Sequence, residues 1–155
     1  MKKLIFLSVA IVAFAIGVAA QNISLKEGLY YEQGKLYTGT YSELTAAGIK
    51  KSTITIADGK IKGAVTYYYD NGNVMETGSF VDNEKTGQWL RYDETGKKTG
   101  EAYYVSGKKD GTWLIWDFNG TKRTEMHYAK GEKIGKWMQW DESGNLTSEK
   151  VYTTL

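Results

Sequence analysis

The sequence contains no cysteine and no proline, and its one histidine is His127. The absence of cysteine excludes disulfides, thiolate metal ligands and a cysteine nucleophile. A single histidine excludes a metal site built from several histidines. The 155 residues nevertheless include 18 Gly, 12 Tyr and 5 Trp, and 41% are hydrophobic. A chain of this composition is too apolar for disorder, and its length allows about one domain.

Residues 1–20 have the pattern of a signal peptide. Two lysines follow the initial methionine, and residues 4–18 are apolar or small and carry no charge. Ala19 and Ala20 place small side chains before Gln21, where signal peptidase would cut. The apolar run is short for a spanning helix, which needs about 20 residues. We expect export to the periplasm or the extracellular space, with no integral membrane segment after cleavage; an uncleaved anchor is the alternative.

The charge balance gives no sign of a nucleic-acid partner. Lys2 and Lys3 leave with the signal peptide, so the remaining chain carries equal numbers of basic and acidic side chains. A neutral, mixed surface lacks the footprint of phosphate-backbone binding. The glycine-rich joints do not contain the G-x-x-x-x-G-K-(S/T) loop of nucleotide-binding proteins. We therefore expect neither a nucleic-acid partner nor a cofactor.

A 24-residue period organises the rest of the chain. One glycine column contains Gly39, Gly63, Gly87, Gly111 and Gly135, and a second contains Gly48, Gly72, Gly96, Gly120 and Gly144. Recurrence at a fixed period is the signature of a repeat protein. We divide the chain into a capping half-repeat over 21–38 and five units over 39–62, 63–86, 87–110, 111–134 and 135–155. All of them form one domain.

Each unit has the properties of a β-hairpin. The segments between glycines are 5–8 residues long and rich in Tyr, Trp, Thr, Val and Ile, which favours strands. Turn sequences such as Asp93-Glu94-Thr95-Gly96 recur at the 24-residue period. In each, an aspartate can accept backbone N–H groups and a glycine can take the left-handed position. We predict an all-β fold: an elongated, single-layer antiparallel β-meander of repeated hairpins, with eleven short strands if the half-repeat contributes one.

The candidates for catalysis are few. His127 is the only candidate base of a nucleophilic triad, and its place in a strand favours a polar surface position. The acidic pairs Asp93-Glu94 and Asp141-Glu142 fall in the turn column, and carboxylates one repeat apart would be separated by about 10 Å. That distance is too long for a retaining glycosidase pair. We expect no catalytic residue, no metal site and no enzymatic activity.

The aromatic columns are the strongest candidate for a binding site. Regularly spaced rings on a sheet would form a strip, at about 10 Å per repeat, on which a peptide or a sugar chain could dock. The alternative is that the same rings are simply the core of a thin sheet. The candidate strip consists of Trp89, Tyr92, Tyr104, Trp113, Trp116, Tyr128, Trp137 and Trp140.

The repeat resembles a known family. The pattern G-x-W-x-x-(Y/W)-D-x-x-G, as in residues 87–96 and 111–120, is similar to the MORN repeat in the bacterial variant of YwqK-type proteins. The similarity covers residues 28–155. It implies elongated antiparallel sheets of hairpins that serve as interaction surfaces. For some members it implies antitoxin-like partners, and for others association with membranes or phosphoinositides.

These observations indicate a binding or scaffold protein. We expect a protein partner that binds the aromatic sheet face. The alternatives are a cell-envelope module that binds glycan or lipid, and an antitoxin-like or immunity-like neutraliser that acts after export. The terminal strands, including residues 147–152, are open sheet edges, so an edge-strand dimer is also possible.

Overall fold

The computed structural model describes residues 22–153, and the predicted signal peptide lies outside this range. The described chain contains thirteen β-strands and no helix, which confirms the all-β prediction. The first six strands are β1 (Ile23–Lys26), β2 (Leu29–Glu32), β3 (Lys35–Leu36), β4 (Gly39–Leu44), β5 (Lys50–Ala57) and β6 (Lys60–Tyr68). The others are β7 (Val74–Val81), β8 (Glu84–Tyr92), β9 (Lys98–Val105), β10 (Lys108–Trp116), β11 (Lys122–Ala129), β12 (Glu132–Trp140) and β13 (Leu146–Tyr152).

Strands β4 to β13 form one antiparallel sheet in which sequence order equals spatial order. The predicted meander of hairpins is therefore confirmed. The expected count of eleven strands is wrong, because the capping segment does not join this sheet: β1, β2 and β3 form a separate three-stranded sheet. β2 is only four residues long, half the length of β5, and it pairs with β1 on one side and β3 on the other, not with β4.

Two kinds of turn alternate along the meander. The first is a two-residue turn in which both residues have positive φ, as at Ser106 (47°) and Gly107 (72°). This conformation is the type I′ hairpin turn, which matches the twist of the flanking strands. Gly59, Gly107 and Gly131 form a third column at the 24-residue period, and Asn83 stands in it once, with φ 71°, because asparagine tolerates the left-handed region. The Gly107 N–H also donates to the Lys85 carbonyl at 2.9 Å, which ties this turn to the previous hairpin.

The second kind is a five-residue turn that begins with an aspartate in the last three units. Asp141 Oδ1 accepts the backbone N–H groups of Ser143 at 2.9 Å and Asn145 at 2.8 Å. Asp93 and Asp117 accept the equivalent pairs of N–H groups in their own turns. The aspartates therefore act as turn residues, as the sequence predicts.

The glycines at the start of the last four units mark irregularities in the strand pairing, whereas Gly39 pairs in register with Ile56. Gly111 has φ 62°, a left-handed conformation that other residues adopt at a cost. It lies where the register between β10 and β9 shifts, since Asp110 pairs with Tyr103 but Leu114 already pairs with Glu101. The last four glycines of the first column thus mark bulges.

The most buried part of the molecule is at the N-terminal end of one sheet face. Ile54, Ile56, Val65 and Trp89 are each 1–5% exposed, and they form one cluster with Tyr37 of the capping segment. The small sheet also packs Ile23 and Tyr30 against this cluster. Burial raises the pKa of the Tyr30 hydroxyl, with contributions from Tyr41 and Glu43. The capping sheet therefore covers the first strands of the meander.

Candidate functional site

A continuous ladder of seven aromatic rings crosses the large sheet. Neighbouring rings have centroids 4.9–6.1 Å apart and meet at tilted or edge-to-face angles of 55–87°. Such geometry stabilises each pair beyond simple area burial. We call this set the aromatic ladder, and its members are Phe80, Trp89, Tyr104, Trp113, Tyr128, Trp137 and Tyr152. The side of the sheet that carries it is called the Trp89 face.

Hydrogen bonds fix the later indoles of the ladder. Trp113 Nε1 donates to the Tyr103 carbonyl at 3.1 Å, and Trp137 Nε1 donates to the His127 carbonyl at the same distance. Trp89 differs, because its buried Nε1 has no hydrogen-bond partner among the described residues. The ring of Trp89 lies instead on Gly78.

A row of lysines covers the ladder at the repeat period. The Lys85 ammonium lies 3.6 Å from the centroid of Trp89, Lys109 lies 4.5 Å from Trp113, and Lys133 lies 4.5 Å from Trp137. Each also lies 5.0–5.4 Å from the next tyrosine of the ladder. Ammonium groups at this distance are attracted by the ring quadrupole. We call these three side chains the lysine row.

Trp116 lies on the other side of the sheet. It is three residues from Trp113 in the same strand, and successive side chains of a strand point to opposite faces. The Lys98 ammonium lies 4.4 Å from the Trp116 ring and 2.9 Å from Glu101. Glu101 precedes Ala102, the cross-strand partner of Trp89, so it too points away from the ladder. We call this side the Trp116 face.

The same arrangement recurs one repeat later. The Lys122 ammonium lies 4.1 Å from the Trp140 ring and 2.6 Å from Glu125. Tyr92 pairs with Lys98 across the hairpin of β8 and β9, just as Trp116 pairs with Lys122 across the hairpin of β10 and β11. Tyr92 is therefore the equivalent of Trp116 one repeat earlier. These three rings therefore form a second row, next to the five-residue turns and outside the ladder.

The predicted strip of eight residues is thus divided between two faces. The structure brings together five of them in the ladder and places Tyr92, Trp116 and Trp140 on the Trp116 face. Sequence reasoning missed the lysines that lie on both rows of rings. The sequence does mark three of these lysines, because Lys85, Lys109 and Lys133 recur every 24 residues just as the aromatic columns do.

A groove of about 410 Å³ lies along strands β7 to β10, beside Trp89 and Trp113. Its lining also includes Arg91 and Ile115, and it reaches Glu101 and Trp116 of the Trp116 face. Ile115 is 43% exposed. The groove is therefore an open surface of mixed aromatic, aliphatic and cationic character rather than an enclosed cavity.

The single histidine lies between a hydroxyl and a carboxylate. His127 Nδ1 is 3.2 Å from Thr112 Oγ1, and its Nε2 is 3.3 Å from Glu125 Oε1. These groups stand on β10 and β11, which are paired on both sides. Acyl transfer also requires N–H donors aimed at an oxyanion, and paired strands use their N–H groups in the ladder. Glu125 is moreover held by Lys122, so the arrangement is a polar surface network.

Residues 22–153 contain neither a metal-binding cluster nor a membrane-spanning helix. No three side chains among His, Asp and Glu converge in an arrangement that would hold a metal ion. None of these residues lies in a helix with the length and apolar character needed to cross a bilayer.

Consecutive hairpins at a constant period, with one ring column continued through the last four units, define a β-repeat array. The family model for the MORN repeat variant matches four consecutive segments of this array, residues 61–82, 85–106, 109–130 and 133–153. These segments follow one another at 24 residues and cover more than half of the chain. The chain therefore belongs to the MORN repeat variant family, whose repeats generally act as binding or scaffold modules. A comparison with curated proteins found no match.

Proposed function

We propose that this protein is an exported, non-enzymatic binding module whose protein partner docks on the Trp89 face. One observation carries the proposal: the capping sheet covers the ladder only at its N-terminal end. Trp89 is 2% exposed within the buried cluster, whereas Trp113 and Trp137 lie outside it and are only half-buried. Partly exposed aromatic surface of this kind is typical of protein–protein contacts.

Protein rather than sugar is the partner that the ring geometry favours. A sugar ring stacks on the open, flat face of an aromatic side chain. In the ladder the rings of Trp113 and Trp137 are flanked by tilted tyrosines and are approached by Lys109 and Lys133. An irregular surface that combines rings, a groove and charges fits the side chains of another protein better.

Site-specific photocrosslinking in the cells that naturally produce the chain tests this proposal. Ile115 on the Trp89 face and Tyr103 on the opposite face are both 43% exposed, so they are a matched pair. Benzoyl-phenylalanine at position 115 should yield a discrete protein adduct, and the same group at position 103 should not. Adducts at position 103 alone, or at neither position, would contradict the proposal. Retention of the chain on insoluble glycan without any protein adduct would favour a glycan-binding function.

Export is tested separately. N-terminal sequencing of the protein recovered from the periplasm or the medium should begin at Gln21. A product that retains Met1 would contradict cleavage of a signal peptide.

A further inference from the structure

The two faces of the large sheet differ in how their lysines are compensated. On the Trp116 face, Lys98, Lys122 and Lys136 lie 2.6–3.0 Å from glutamate oxygens. On the Trp89 face, no member of the lysine row has a carboxylate within 4.0 Å in residues 22–153. The salt bridges in these residues involve other side chains: Glu76–Arg91, Lys98–Glu101, Lys122–Glu125, Arg123–Asp117, His127–Glu125 and Lys136–Glu149. The sequence carries a formal net charge of only +2, yet along this row no ammonium group in the described chain forms a salt bridge.

The groove does not supply the missing negative charge. Of its two glutamates, Glu76 lies 3.9 Å from the guanidinium of Arg91 and Glu101 lies 2.9 Å from the ammonium of Lys98, so both are already paired. Lys85, Lys109 and Lys133 hold their ammonium groups over rings, which attract a cation but offer it no carboxylate oxygen. A ligand that reaches this row therefore meets three ammonium groups that have no ion-pair partner within 4.0 Å in residues 22–153.

The spacing of the row restricts the shape of the ligand. The three lysines occupy equivalent positions in β8, β10 and β12, which are two strands apart, so their backbones are about 10 Å apart. A polypeptide in the polyproline II conformation has three residues per turn and a rise of about 3.1 Å, so its side chains return to the same side about every 9 Å. Such segments also bind preferentially to aromatic-lined grooves.

We propose that the lysine row and the aromatic ladder bind an acidic segment of the partner in the polyproline II conformation, with a carboxylate at every third residue. The segment crosses the strands, its carboxylates pair with Lys85, Lys109 and Lys133, and its intervening residues pack on the rings of the ladder. This inference rests on the proposed function, because it specifies the chemistry of the partner on the same face.

Fluorescence anisotropy with a labelled peptide of four Pro-Pro-Glu triplets tests the inference. The triple variant K85Q/K109Q/K133Q should bind this peptide about ten-fold more weakly than the wild type. The variant K98Q/K122Q/K136Q removes the same charge from the Trp116 face and should bind within about two-fold of the wild type. Glutamine keeps two of the four methylene groups and removes the charge equally in both variants, and circular dichroism checks that both variants fold. Equal losses in the two variants, or no binding by the wild type, would overturn the inference.

Two further probes separate spacing and ligand class. A peptide of the same composition with its glutamates adjacent should bind more weakly than the triplet peptide, and equal binding would contradict the polyproline II geometry. Polygalacturonate or anionic vesicles that bind while the triplet peptide does not would contradict a polypeptide ligand.

Carbodiimide coupling followed by mass spectrometry locates the bound peptide. It should join peptide glutamates to the lysine row, and coupling elsewhere would contradict the proposed binding surface. Failure of these tests with a persistent adduct at position 115 would reject only the acidic segment and leave the proposed function standing.

Discussion

The indole of Trp89 lies directly on the backbone of Gly78. A Cβ built on Gly78 would come within 2.2 Å of Trp89 Cδ2. The two residues occupy neighbouring strands, and the equivalent of Gly78 one repeat later is Ala102. The missing side chain lets the ring lie closer to the sheet than the later indoles, which is consistent with its complete burial and with its unpaired Nε1.

Substitution of Gly78 should therefore disrupt the core. In Gly78→Ala, the new methyl group forces Trp89 away from the sheet, and we expect a loss of about 1–3 kcal/mol in the free energy of unfolding. Urea denaturation measures this loss. Gly100→Ala is the control, because its Cβ would lie 3.3 Å from Arg91 Cβ and needs only a small adjustment. Combining Gly78→Ala with Trp89→Phe should cost less than the sum of the single changes, and strict additivity would contradict the contact.

The two tryptophan rows should differ in their contribution to stability. Trp113 packs between Tyr104 and Tyr128 and donates a hydrogen bond, so Trp113→Ala should cost roughly 3 kcal/mol. Trp116 has one cation contact, with Lys98, and no aromatic ring neighbour in the described chain, so Trp116→Ala should cost about half as much. Thermal and urea unfolding of the two variants provide the comparison. Equal losses would show that the ladder is not the main stabilising row.

The aspartate turns predict a loss of stability in acid. The carboxyl pKa of Asp141 lies below its usual value because the Asn145 N–H and side chain, and the Ser143 N–H, donate to the carboxylate. For Asp93 the main causes are the Thr95 hydroxyl and the Lys97 N–H. A carboxyl whose pKa is lower in the folded state stabilises the fold above its unfolded pKa of about 3.9.

This stabilisation should be lost as the pH falls below about 4 and through the lower pKa of the folded state. Urea midpoints between neutral pH and about pH 2 measure the slope. Asp141→Asn keeps an oxygen that accepts both N–H groups but does not titrate in this range. It should therefore show a shallower acid slope than the wild type. A wild-type midpoint that rises on acidification would contradict the assigned direction of the pKa shift.

Asn83 links the capping sheet to the meander. Its Oδ1 accepts the Ile61 N–H at 2.7 Å, and its Nδ2 donates to the Gly28 carbonyl at 3.3 Å. Asn83→Gly preserves the left-handed turn but removes both bonds, so we expect faster hydrogen exchange in residues 23–36. Exchange in residues 132–152 should not change. An equal increase at both ends would indicate a global loss of stability instead of release of the cap.

Sequence reasoning could predict the hairpins but not the division of the aromatic strip. The hairpins follow from local chemistry, since Ser106-Gly107 and Asp141 specify their turns without tertiary contacts. The 24-residue period aligns Trp113 with Trp89 and Trp137, and Trp116 with Tyr92 and Trp140, but it does not say which face each column occupies. Their separation of three residues indicates opposite faces once the strand boundaries are known.

The capping sheet was harder to predict for a different reason. Gly28, Tyr30 and Gly34 resemble the second half of a unit, which suggested one more strand of the meander. The positive φ values at Glu27 and Gln33, 51° and 50°, instead create two tight turns and a short hairpin that folds over the cluster. Similarly, no local pattern marks Gly78 as the site beneath Trp89, because that contact depends on how two strands pair.

Strict agreement between sequence order and strand order has a consequence for how the protein can change over evolutionary time. Within residues 22–153, every hairpin of the large sheet pairs only with the hairpins before and after it, and the end strands β4 and β13 each have one neighbour in the sheet; Val151 of β13 is 57% exposed. Insertion or deletion of one whole 24-residue module would therefore leave the pairing on either side intact. Genetic duplication of one module would thus add one lysine to the lysine row, and the length of the row would change in steps of one repeat.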